Sequence, residues 1–188
     1  IMTAELFNNK YRLGMLLFLS SEGIFFAFLI TAYVFYHGSV TDGPNARTSL
    51  DVWKTGAYTV VLLLSSGTIF LAERALRKQR KGFGFWLSAT IICGLTFLYG
   101  EMREYMRLLH NNVTVSRSLF GSTYYTVTGF HALHVSVGVV LLSILLALSF
   151  GDLRKDDHVG VQVISYYWHF VDLVWVAVFS VIYLWSTR

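Results

Sequence analysis

Five apolar stretches, each long enough to cross a bilayer core at about 20 residues, alternate with short polar segments. They predict helices over about 13–36, 53–75, 85–108, 121–150 and 161–186. The fold class expected is all-α: an integral membrane bundle, with residues 1–188 as a single transmembrane domain. The fifth stretch, SYYWHFVDLVWVAVFSVIYLW, carries the clearest polar seam. At about 100° per residue, Ser165, His169, Asp172, Ser180 and Tyr183 fall within about 80° of arc. An ionised group facing lipid costs at least a few kcal/mol, so His169 and Asp172 are expected to face protein or water.

The other helices offer partners at similar depth. Glu22 in helix 1 lies about 13–15 Å in, near the midplane. Helix 4 carries His131 and His134 on one side with Gly138. Helix 5 is therefore expected to set His169 and Asp172 against helix 4. In helix 2, Thr55, Thr59, Ser66 and Glu73 form a stripe, and Ser65, Ser66 and Gly67 permit close approach. In helix 3, Glu101, Glu104 and Tyr105 lie in an amphipathic distal end, GEMREYMRLL. That end is expected to leave the membrane, with the two carboxylates at the interface and paired with Arg103 or Arg107.

Composition agrees with a membrane protein: 55% of residues are hydrophobic and only 14% charged, against about 25% charged in soluble domains. The single cysteine, Cys93, excludes an intrachain disulfide and a cysteine metal cluster. The net charge of +4 does not point to nucleic acid, because the basic residues flank apolar spans. Arg74, Arg77, Lys78, Arg80 and Lys81 form the densest basic stretch, between helices 2 and 3, and suit anionic lipid headgroups. Together with Lys10, Arg12, Arg154 and Lys155 they place the N-terminus inside and the C-terminus outside.

Two readings of the shared middle layer stand side by side. His-x-x-His and His-x-x-Asp each put two donors on one helical face, and imidazole with carboxylate suits zinc or iron. The plainer reading is a hydrogen-bonded polar core that fixes helix packing, made of Glu22, His131, His134, His169 and Asp172. Two i,i+3 pairs arise easily by chance, and di-iron bundles use two Glu-x-x-His units, which this chain lacks. The plainer reading is the better one. Glu22 by itself suits either a proton relay or a protonated structural acid. No phosphate loop, nucleophile triad or haem-attachment motif is present in the sequence.

Three motifs, SSEGIFF around Glu22, GSTYYTVTGFHALHVSVG over 121–138 and YYWHFVDLVW over 166–175, strongly resemble subunit III of haem–copper terminal oxidases, in a short five-helix bacterial form. Glu104-Tyr105 and the YTVVLLLSSG run of helix 2 fit as well. The resemblance implies an accessory, non-catalytic subunit with no catalytic, cofactor-binding or metal residue of its own. It implies haems and copper in partner subunits, packing on subunit I beside subunit II and small subunits, and bound phospholipid. It further implies support of proton uptake and of turnover stability, cytochrome c as electron donor to the complex, and a multi-pass location in the bacterial inner membrane. The chain departs from the seven-helix form by lacking the two N-terminal helices, between which and the rest the family's lipid cleft lies. Alternatives are a subunit III of a quinol oxidase or of a nitric-oxide-reductase-associated homologue. From other classes, an intramembrane metal enzyme and a small proton or solute transporter remain.

Overall fold

A computed structural model of the chain describes residues 2–37, 46, 50–78, 82–116, 118–150 and 158–186. Among them lie five long helices and no strand. They are α1 (Met2–His37), α2 (Val52–Arg77), α3 (Phe83–His110), α4 (Leu119–Ser149) and α5 (His158–Phe179). The last continues as a π-helical turn over Ser180–Trp185. All five are long and apolar enough to span a membrane.

The ends follow local chemistry. Asp51 caps α2 by accepting from the Lys54 N–H at 3.2 Å, and Ser118 caps α4 by accepting from the Gly121 N–H at 2.9 Å. Gly82 enters α3 at φ 131°, a conformation that L side chains rarely adopt. α1 begins at Met2, well before the expected residue 13. Hydropathy marks where the membrane ends, whereas backbone hydrogen bonding carries the helix on through polar residues such as Lys10 and Arg12.

The helices close a ring. α1 packs on α4, α4 on α3, α3 on α2, α2 on α5, and α5 on α1, with α5 also crossing to α4. α5 is the best covered span, with 44% of its apolar window buried, and α1 the least, with 11%. Two tryptophans make α5 the centre. The Trp168 indole donates to the Ser65 hydroxyl of α2 at 2.8 Å and lies against Gly94 of α3 and Gly138 of α4. One turn pair further on, Trp175 donates to Thr59 of α2 at 2.9 Å and meets Phe97 edge-on. Each indole thus buries a large apolar face and pairs its one donor inside the bundle, where lipid offers no acceptor.

Candidate functional site

The polar residues of the middle layer separate into distinct groups. On the α2–α5 seam the Ser66 hydroxyl donates to Oδ2 of Asp172 and lies 3.0 Å from Nδ1 of His169. Serine has one proton to give, so His169 Nδ1 carries its own and donates to the serine oxygen. The serine proton is thus directed at the Asp172 carboxyl, and His169 stands as a donor to the serine oxygen rather than as its base. The second oxygen of Asp172 is buried without a partner among the described residues.

His169 and Asp172 therefore bond to α2, not to helix 4 as expected from the sequence. The face of α5 toward α4 is filled by Tyr167, whose hydroxyl donates to the His134 carbonyl at 3.0 Å, and by the Trp168 ring over Gly138. Residue count along a span sets depth; the azimuth is set by where the largest rings fit.

On the α1–α4 seam, Nε2 of His134 lies 3.1 Å from Oε2 of Glu22. Nδ1 of the same ring is 2.7 Å from the Phe130 carbonyl, which can only accept, so Nδ1 is protonated. The Glu22–His134 contact then shares one proton, held either by the carboxyl or by Nε2. His131, one turn earlier, points elsewhere. It is fully buried, stacks on Trp175 with centroids 4.7 Å apart and touches Phe97 and Phe26 edge-on. Neither of its nitrogens has a partner among the described residues. The His-x-x-His spacing thus fails to converge, and among the described residues no three His, Cys, Asp or Glu side chains gather as a metal ligand set.

The distal end of α3 also differs from expectation. Glu101 and Glu104 are only 3% and 7% exposed, because positions 97, 101, 104 and 108 form the buried face of α3. Glu104 binds Arg107 and accepts the Asp51 N–H at 3.3 Å. Tyr105 pairs with Thr128 of α4 at 2.7 Å. Glu101 is interior rather than interfacial, with one oxygen unpartnered among the described residues. Arg103, its expected companion, lies over the Tyr99 ring instead. Beside Tyr105, Tyr124 bonds Tyr183 at 2.8 Å, and Tyr33 of α1 bonds Ser186 at 2.9 Å. These tyrosine bridges, and the tryptophan ones, were not singled out from sequence. The seven-residue spacing of Trp168 and Trp175, two turns on one face, was the available signal.

At the other end of the bundle, Arg74, Arg77 and Lys78 are exposed, with Arg77 bonded to Glu73; Arg80 and Lys81 lie outside the described residues. A cavity of about 220 Å³ opens beside them between α1, α2 and α5, lined by Arg12, Glu73, Arg77 and Gln162.

The arrangement can pack helices, share a proton and receive an anionic group. The family profile described as cytochrome c oxidase subunit III matches residues 3–187. The chain belongs to that family. A probable cytochrome c oxidase subunit 3 of Mycobacterium leprae is 36% identical, over 93% of this chain and 88% of its own. The Corynebacterium diphtheriae cytochrome c oxidase subunit 3 is also 36% identical, with the same coverage. That of Synechocystis is 35% identical over 91% of this chain and 74% of its own. A subunit III of a haem–copper oxidase, part of an enzyme complex and multi-pass in a membrane, accounts for five spans whose polar groups are mostly engaged with one another.

Proposed function

We propose that this chain is the accessory, non-catalytic subunit III of a proton-pumping haem–copper oxidase in a bacterial inner membrane. It forms one transmembrane domain with the N-terminus inside. It packs on subunit I, in a complex that takes electrons from cytochrome c and holds the haems and copper in its other subunits. The observation that carries this reading is the family match over residues 3–187, with relatives named for cytochrome c oxidase. The geometry supports a stabilising role: Glu22–His134, Ser66–Asp172, Ser65–Trp168, Thr59–Trp175 and Thr128–Tyr105 each join two helices. The cavity at Arg12 and Arg77 suits a phospholipid phosphate, which two guanidinium groups bind through charge-assisted hydrogen bonds. Support of proton uptake would act through the surface this chain lends to subunit I.

The test is purification of the tagged chain from native membranes. A haem-containing oxidase that oxidises cytochrome c should accompany it, while the chain stripped from the complex should hold no stoichiometric iron, copper or zinc. One metal per isolated chain, or a complex that oxidises only quinol, would overturn the reading.

A further inference from the structure

We propose that the open side of the Glu22–His134 pair seats a transmembrane helix of a partner polypeptide, which presents a hydrogen-bond donor to the Glu22 carboxyl. The inference rests on the reading of the chain as a complex subunit and assigns the face through which it docks.

Glu22 sits near the middle of the span Lys10–His37, and His134 midway along Leu119–Ser149. The pair is therefore at the depth where lipid offers only acyl chains. Yet its side chains are 22% and 14% exposed on the outer surface of the bundle. Of the two carboxyl oxygens, Oε2 faces His134; Oε1 has no partner among the described residues. His134 cannot turn to help, because its other nitrogen is bound to the Phe130 carbonyl. An acidic group left against hydrocarbon at this depth is costly. Headgroup donors lie about 15 Å away at the edge of the core, so a lipid does not reach it.

The surroundings fit a helix. Phe18 lies one turn before Glu22, and Phe130 and Val137 one turn to either side of His134; all three are exposed, as is Leu133 beside His134, so the pair is a polar centre on an apolar face. An apolar helix bearing one polar side chain at mid-depth is complementary to that surface, and such interhelical hydrogen bonds hold membrane helices together. α1, which supplies Glu22 and Phe18, buries only 11% of its apolar window inside the chain, against 28–44% for the other four spans. It is the helix with most surface left to cover.

Photo-crosslinking residues placed at Phe18 and Leu133, in the complex purified through its catalytic partner, test the proposal. Ile92 and Leu95 on α3 are comparably exposed and serve as controls. Phe18 and Leu133 should give polypeptide crosslinks several-fold above the controls. Glu22→Leu should reduce them several-fold, and Glu22→Gln, which keeps an acceptor oxygen, should retain them. Lipid adducts alone at Phe18 and Leu133, or polypeptide crosslinks mainly from α3, would overturn this inference and leave the oxidase reading intact. Failure of the chain to purify with any haem protein would overturn the oxidase reading and this inference with it.

Discussion

The Trp168 indole of α5 lies so close to Gly138 of α4 that a Cβ at position 138 would fall 2.8 Å from its ring. The same ring would stand 2.7 Å from a Cβ at Gly94 of α3. Two glycines on two helices thus form the slot that receives the central aromatic of the bundle.

Gly138→Ala should therefore destabilise the chain by about 1–3 kcal/mol, the usual cost of overpacking a filled core. Gly67→Ala is the control, since nothing lies within 4 Å of a Cβ there. It should leave stability unchanged or raise it slightly through helix propensity. Thermal denaturation midpoints of the purified complex, followed by loss of this subunit, separate the two.

Ser66, His169 and Asp172 should behave as one unit. Ser66→Ala and Asp172→Ala each leave buried polar atoms unsatisfied, at about 1–3 kcal/mol apiece. The double variant should cost less than the sum, with a coupling of about 0.5–3 kcal/mol. Retention of the subunit on the purified oxidase measures this, with initial turnover recorded alongside. Abolished initial turnover with the subunit fully retained would mean that Asp172 belongs to the reaction path.

Asp51 gives a pH signature outside the membrane. Its carboxylate accepts from the Lys54 side chain, at 2.8 Å, and from the Lys54 backbone N–H. These contacts hold its pKa below the ordinary 3.8, the side-chain contact contributing most. Because the folded value is depressed, the stabilisation is present above pH 3.8 and fades as the pH falls through the lower folded value. Asp51→Ala should cost about 1 kcal/mol near neutrality, as for other helix caps. The gap between wild type and variant midpoints should close as the pH falls through that depressed folded value. A gap that persists below it would show that the charge of Asp51 contributes nothing.

Topology is open to a direct test. Lys78 is exposed at the end of α2, in the basic segment assigned to the cytoplasm. Lys78→Cys should resist impermeant thiol reagents in intact cells and react after permeabilisation. Reaction in intact cells would invert the bundle.

Glu22 and Asp172 show what was legible in the sequence. A run of apolar residues that includes a carboxylate already fixes a span, a depth and the need for a partner, because hydrocarbon penalises charge whatever the rest of the chain does. Five spans, their approximate ends and the family motifs followed from such one-dimensional constraints. Which helix supplies the partner did not. Asp172 found Ser66 on α2 rather than a histidine on α4, His131 was enclosed by Phe97 and Trp175, and Glu101 turned inward. Those outcomes depend on how α5 rotates to seat Trp168 between Gly94 and Gly138, and that rotation is decided by the close packing of large rings from several helices at once. Depth is a property of each segment alone; azimuth is a property of the assembled bundle.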